Sequence, residues 1–496
     1  MSMKATGPVI ADQSLSSAWW TPRLAGPIFA AAVVRLTLLA VILARMGESI
    51  LVQTDTKSYL DPGINLLRHG SFVADGAPDL LRTPGYPLFL AVTSFAGLRF
   101  AALANVILSV LCVLLIWKLG RAIFQDDRIA LGAAWILAFE PLSITYSFLL
   151  ITEPLFLTLL LLSLERMAAF LRQRRLPMLA ISGLWLAAAT FVRPVTYYLP
   201  AALALGLFVV FARVPKLRWQ APAVLLICVL PWLGAWQVRN WVETGYRGFS
   251  SVAEVNLYFF NAADVTARVE HKPLGVVRGE LGFNCALDCD QQYYLYQPYL
   301  TRNPLQAGWN QSQRLDFMLA KAQRVIQAHR GVYLRGRIAQ FFTTIFRLGS
   351  GSFDNIFYSG GPIVFSLGST TLGGLLYPGG PNDTSKFALG NHPIYGWLML
   401  AKAYPWVVIE KLYFGIAMFG LYFFAARSVY LATRSVFGGS MHGASLWLLL
   451  GTLFYFFVVI GAGGGTEADA RLRLPIVLIL CILASAGLRR TKSIAQ

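Results

Sequence analysis

Apolar runs of about 20 residues recur along the chain, near 27–46, 100–120, 129–148, 150–170, 177–192, 195–212, 220–238, 406–426, 443–462 and 472–488. A helix of about 20 residues crosses a bilayer core of about 30 Å and satisfies its backbone hydrogen bonds internally. Composition agrees: 13% of residues are charged, where a soluble domain carries about 25%. Mean hydropathy is +0.57. A disordered chain and an ordinary soluble multidomain enzyme are both excluded, and the expected fold class is an all-α polytopic membrane protein of about ten transmembrane helices.

The net charge of +18 would suggest nucleic acid in a soluble protein, but its distribution does not. If the amino terminus lies inside, the short inner segments hold 17 Lys and Arg against only Asp12, Asp126, Asp127 and Glu165. That is the positive-inside pattern. It places both termini in the cytoplasm of a bacterial cytoplasmic membrane and leaves nucleic acid out as a partner. The first 24 residues are polar, and no small-residue cleavage site follows the first run, so a retained signal-anchor is expected. Arg35 lies within that run and is expected to snorkel to the cytoplasmic face.

Three regions follow: 1–238, a transmembrane core with an outward loop at about 47–86; 239–404, an external insertion; and 405–496, three further spans. Within the insertion, Leu315, Met318, Leu319, Ala322, Val325 and Ile326 recur at helical spacing, and Val332 to Phe346 reads as an amphipathic stretch suited to a membrane surface. Residues 349–382 are rich in Gly, Ser and Pro and read as a loop. Cys112, Cys228 and Cys481 fall in spans as small apolar residues, whereas Cys285 and Cys289 sit in the exported insertion, where a local disulfide is expected. His271 is the one imidazole near that cysteine pair, too few ligands for a metal site.

The first outward loop carries the chemistry. Asp55 follows the first span at the membrane–water boundary, where partial desolvation favours proton uptake and suits a general base for an acceptor hydroxyl; a solvated loop carboxylate is the bland alternative. Asp61, Asp75 and Asp79 are read as such solvated acids. Glu140, before Pro141, and Glu153, before Pro154, either point inward to a partner or cap the helix at the proline. Arg193, Arg239 with Asn240, and Arg471 with Arg473 stand at outer span ends, with Arg82 in the loop. Guanidinium groups at that depth suit a lipid phosphate, which they bind through two parallel hydrogen bonds. A sugar on a lipid phosphate needs no acid to expel it, so one base suffices for an inverting displacement, whereas glycoside hydrolysis needs two placed carboxyls.

The spaced set Asp55, Tyr59, Gly70, Arg82-x-Pro-Gly-Tyr86-Pro, then Pro141, Tyr146, Glu153-Pro-Leu-Phe, then Arg193-Pro, then Pro231-Trp, Arg239-Asn240 and Gly245 resembles bacterial GT-C glycosyltransferases. These include the protein O-mannosyltransferase, lipid-A aminoarabinose transferase and rhizobial galacturonosyltransferase-like groups. The resemblance implies a GT-C bundle whose first periplasmic loop, with juxtamembrane helices, bears the catalytic aspartate, here Asp55; the acid that often follows it is Thr56 in this chain. It implies that Arg82 meets the donor phosphate, that Glu153 orients, and that Arg193, Arg239 and Arg473 lie near the lipid phosphate, with Tyr59, Tyr86 and Asn240 among the substrate-binding positions. The implied donor is a polyprenyl-phosphate sugar, the implied acceptor a glycan, lipid or protein at the periplasmic face. Membrane lipids are the remaining partners, and no metal or other cofactor is implied.

Two other classes compete. A polysaccharide ligase or polymerase would use a polyprenyl-diphosphate donor and often a loop histidine, for which His271, His329 and His392 are candidates. A lipid-linked sugar flippase or transporter would show internal repeats and charged residues at midplane. Here polar residues concentrate at one face and a long external insertion interrupts the bundle, which favours surface chemistry.

Overall fold

The computed structural model describes residues 22–53, 55–283, 292–349, 405–436, 443–463 and 470–489, and among these one two-residue hairpin supplies the strand pairing of an otherwise helical chain. Helix α1 (Ala25–Met46) leads to the first loop, which folds into α2 (Thr56–His69), a hairpin of β1 (Val73–Ala74) and β2 (Ala77–Pro78), and α3 (Gly85–Ser94). Asp75 and Gly76 take positive φ values of 53° and 75° in the hairpin turn, the left-handed backbone that a two-residue loop needs. Then come α4 (Leu98–Phe124), α5 (Asp127–Ala138), α6 (Pro141–Thr145), α7 (Glu153–Gln173), α8 (Leu176–Val192), α9 (Leu199–Val210) and α10 (Pro215–Thr244).

Six described helical stretches are long and apolar enough to cross a membrane: 22–46, 98–124, 153–173, 215–244, 408–432 and 470–488. Shorter apolar helices at 176–192, 194–210 and 446–461 match three more of the expected runs. The chain is a multi-pass, all-α membrane protein. Helix α7 lies almost wholly inside the bundle between α4 and α8, which explains its continuous apolar face.

The third run, expected as one span over 129–148, is broken. Helix α5 stops at Ala138, and Glu140 then caps α6, its carboxylate accepting from Ser143 N at 2.5 Å with Pro141 in the first helical position. Proline cannot continue the preceding helix, because it lacks the N–H and its ring meets the carbonyl four residues back. From Tyr146 the chain runs without regular helix to Thr152.

Arg35 does not snorkel. It is fully buried and donates to Ala138 O (3.0 Å), Leu137 O (3.3 Å), Ser109 Oγ (2.9 Å) and Ser143 Oγ (3.0 Å). The break is the reason. Where α5 stops, its last carbonyls lose the N–H groups of a continued helix, and the buried guanidinium donates to Leu137 O and Ala138 O. The non-helical stretch becomes a platform for the first loop: Leu150 N donates to Leu51 O (3.0 Å), Thr56 Oγ1 donates to Leu150 O (3.0 Å), and Asn105 Nδ2 donates to Leu149 O (2.6 Å).

Beyond α10 the chain builds an external lobe from α11 (Val252–Val255), a π-helical segment Asn256–Ala262, α12 (Ala263–Val269), α13 (Leu274–Glu280), α14 (Gln297–Arg302), α15 (Gln311–Ala328) and α16 (Arg330–Phe346). Its core joins Tyr258, Phe259, Tyr294, Tyr299, Leu315 and Met318 to Leu80 and Leu81 of the first loop. Leu315, Met318 and Ala322 are fully buried, as their helical spacing predicts. Asn310 and Gln313 close a capping box at the start of α15. Three helices complete the described bundle, α17 (Pro405–Val436), α18 (Gly443–Gly463) and α19 (Leu474–Leu488). Cys112, Cys228 and Cys481 are free thiols in α4, α10 and α19. Cys285, Cys289, His392 and residues 350–382 of the Gly-rich stretch lie outside the described residues.

Candidate active site

Asp55 stands immediately before α2, at the N-cap position of that helix. Its backbone is held by Ser58 Oγ, which donates to Asp55 O at 2.8 Å, and by the neighbouring Thr56, anchored to the platform. Each carboxylate oxygen meets a different arginine: Arg82 Nη2 donates to Oδ1 and Arg471 Nη1 to Oδ2, both at 2.9 Å.

Arg82 is positioned by a strap that the external lobe clamps. Asp79 Oδ1 accepts from Leu81 N (2.7 Å) and Arg82 N (3.0 Å), Gln292 Oε1 accepts from Leu80 N (3.1 Å), Ser251 N donates to Leu80 O (2.8 Å), and Ser250 Oγ donates to Leu81 O (2.7 Å). Asp79 is therefore not a solvated loop acid; it is 2% exposed, and burial pushes its carboxyl up to about 6 against the pull of the Arg82 backbone N–H and charge. Arg82 also donates to Ser58 Oγ (2.9 Å) and Tyr59 OH (3.0 Å), with its guanidinium 4.2 Å from the Tyr59 ring centre. Burial raises the Tyr59 hydroxyl; the charge of Arg82 opposes this most, and Asp55, Arg193 and Arg471 also act on it. The Tyr59 and Tyr86 rings meet edge to face at 5.1 Å, and Asn105 Nδ2 donates to Tyr86 OH at 3.5 Å.

A second acid–arginine pair lies alongside. Arg193 Nη1 donates to Glu153 Oε1 at 2.5 Å, and Thr152 Oγ1 donates to the other oxygen at 3.3 Å, so Glu153 takes the inward-partner alternative while Glu140 takes the capping one. Gly85 lets α3 approach this pair: a Cβ there would stand 2.6 Å from Phe191 O, at the end of the helix that presents Arg193. A small cavity beside Glu153 is lined by Ser109, Ser143 and Ser147 together with Leu157, Leu474 and Leu478.

Three expected site residues point elsewhere. Arg239 Nη2 donates to Phe72 O (2.7 Å) and Nη1 to Asp79 O (3.1 Å), clamping both flanks of the hairpin, and it pairs with Glu243 at 2.8 Å. Asn240 is fully buried and donates to Gly248 O (2.9 Å) and Phe249 O (3.2 Å), closing the turn after α10. Arg473 is buried and turns to Ile345 O (2.5 Å) and Tyr422 OH (3.2 Å), tying α16 to α17. Its neighbour Arg471, noted only as a boundary arginine, reaches Asp55 instead. In the tight helical turn Ala470–Arg473, residues two apart leave in different directions, and nothing local says which one faces the site.

Among the described residues no three His, Cys, Asp or Glu side chains gather as a metal-holding set. The acids at this site face arginines.

Residues 86–236 match the model of the dolichyl-phosphate-mannose-protein mannosyltransferase family. The matched region includes Tyr86, Glu153 and Arg193, begins after Asp55, Tyr59 and Arg82, and ends before Arg239 and Arg471. The chain is also similar to solved structures of an Archaeoglobus fulgidus oligosaccharyltransferase. The apo form has a TM-score of 0.46 at 13% identity over 94% of this chain and 51% of that one. The enzyme AglB, in complex with an inhibitory peptide and a dolichol-phosphate, has a TM-score of 0.42 at 15% identity over 94% and 50%. This chain thus aligns with about half the length of those proteins. None of the curated proteins matches it by sequence.

Proposed function

We propose that the protein transfers a sugar from a polyprenyl-phosphate donor to an acceptor hydroxyl at the periplasmic face of a bacterial cytoplasmic membrane, with both termini cytoplasmic. The observation that carries this reading is Asp55 held between Arg82 and Arg471, with Arg193 on Glu153 beside it. The match of residues 86–236 to the mannosyltransferase family supports the same class. The acceptor oxygen attacks the anomeric carbon on the face opposite the phosphate and gives its proton to Asp55. The bond from that carbon to the phosphate oxygen breaks, its electron pair stays on phosphate, and the single displacement inverts the centre. Arg82, Arg193 and Arg471 stabilise the charge that grows on the leaving phosphate. Glu153 holds Arg193 in place. Arg239, Asn240 and Arg473 act on the loop and the lobe and reach the donor only through them.

The test is label transfer from a panel of polyprenyl-phosphate sugars by the full chain in lipid, comparing wild type with Asp55→Asn. Transfer by wild type and none by the variant, at equal expression and with donor binding retained, is the expected result. Failure of every donor to bind, or full activity of Asp55→Asn, would overturn the reading.

A further inference from the structure

Both carboxylates of the site are occupied by the cations that the proposed donor needs. Arg82 and Arg471 sit 2.9 Å from different oxygens of Asp55, and Arg193 sits 2.5 Å from Glu153. A carboxylate held by two guanidinium groups is a poor base, because each charge-assisted hydrogen bond stabilises its ionised form. Phosphate oxygens offer the same guanidiniums an equivalent acceptor.

We infer that the donor phosphate releases the base by exchange: it takes the hydrogen bonds of Arg82 and Arg471 away from Asp55, so the carboxylate is free to accept a proton only once donor is bound. This rests on the transferase reading above. The anchoring of Arg82 allows it. Ser58 and Tyr59 hold its Nε and Nη1, so the guanidinium stays in place while Nη2 changes partner. Arg471 reaches Asp55 from a side chain that is 30% exposed.

Charge balance follows the same path. Three arginines against Asp55 and Glu153 leave one positive charge, which the single negative charge of a phosphodiester cancels. During transfer the acceptor proton neutralises Asp55, while the leaving lipid phosphate gains one negative charge. The site is neutral before and after, which a partly desolvated cluster requires, since uncompensated charge is costly there. Donor therefore binds first and the acceptor hydroxyl is activated second.

The probe is sugar-free polyprenyl monophosphate, added to the full chain in lipid nanodiscs. Infrared difference spectra should show the Asp55 carboxylate band shifting on binding, the band being assigned by its loss in Asp55→Asn and by its displacement in Arg471→Gln. Binding without any change in that band overturns the exchange and leaves the transferase reading standing. No binding at all overturns the phosphate site, and the exchange with it. An affinity cycle gives an independent readout. Asp55→Asn should tighten polyprenyl phosphate binding about tenfold, the scale of one charge-assisted hydrogen bond. In an Arg471→Gln background the gain should shrink, because only the Arg82 hydrogen bond is left to be exchanged. Equal gains in both backgrounds would mean simple charge repulsion and sink the exchange.

Discussion

Arg471 Nη1 donates to Asp55 Oδ2 at 2.9 Å, joining residues 416 positions apart. The turn that precedes α19 thereby closes onto the loop that follows α1, and distant parts of the chain share one charge cluster.

That contact separates two neighbouring arginines by role. Arg471→Gln is expected to raise the donor KM about tenfold or more while changing stability by less than about 1 kcal/mol, as for a partly exposed ion pair. Arg473→Gln should do the reverse. Its guanidinium is buried against Ile345 O and Tyr422, and removing it should cost about 3 kcal/mol, read as a lower unfolding temperature with donor KM nearly unchanged. Donor titration and thermal unfolding of both variants check this; a larger KM effect at Arg473 would contradict the arrangement.

Asp79 gives a pH dependence with a definite sign. Its carboxyl is raised from 3.8 to about 6 by burial, with the Leu81 and Arg82 N–H groups and the charges of Arg82 and Arg239 pulling the other way, and Tyr294 close by. The folded state therefore binds a proton between pH 4 and 6 that the unfolded state does not, so stability falls as pH rises through that window. The charged form costs on the order of 3 kcal/mol above it. Thermal unfolding of wild type from pH 4 to 8 should show this decline, and Asp79→Asn, which keeps the oxygen acceptor without the charge, should flatten it. Parallel curves for the two proteins would rule out Asp79 as the source.

Arg35 should be intolerant even of lysine. Arg35→Lys keeps the charge but cannot reach Leu137 O, Ala138 O, Ser109 and Ser143 together. A loss of about 3 kcal/mol or more is expected for Arg35→Met, which removes the side-chain donor to Ala138 O, Ser109 and Ser143 in the bundle interior. Thermal unfolding in lipid or detergent measures it, and wild-type stability in both variants would refute the clamp.

Gly85→Ala should lower transfer without touching a charged group. The added methyl would meet Phe191 O at 2.6 Å and force α3 away from the end of α8, moving Tyr86 and the Arg82 strap relative to Arg193. A tenfold or greater loss of kcat, at a stability cost of about 1–3 kcal/mol, is expected and is read by the same transfer and unfolding assays.

Much of the architecture was legible in the sequence. Runs such as 100–120 and 472–488 are apolar enough that water excludes them, and a helix is the one local answer to their backbone, so α4 and α19 fall where hydropathy puts them. The Glu140-Pro141 pair carried the signal of the α5–α6 break, since proline stops a helix and an acid before it caps the next. Asp55, Glu153 and Arg193 were recognisable as polar residues at the ends of spans, and Arg82 as a basic residue of the first loop. Asp79 was not, because a loop acid looks solvated until distant residues bury it, here Gln292, Ser250 and Ser251 around its strap.

Sequence alone therefore determined what depends on neighbours along the chain: the helices, their membrane character and the set of charged groups at span ends. Tertiary structure decided which of those groups meet. Arg35, Arg239 and Arg473 went to backbone carbonyls, while Arg82 and Arg471 went to Asp55. Hydropathy acts locally and can be read in a short window. The partner of a guanidinium is set by where helices from opposite ends of the chain happen to end, and by the need of each buried carbonyl and carboxylate for a donor.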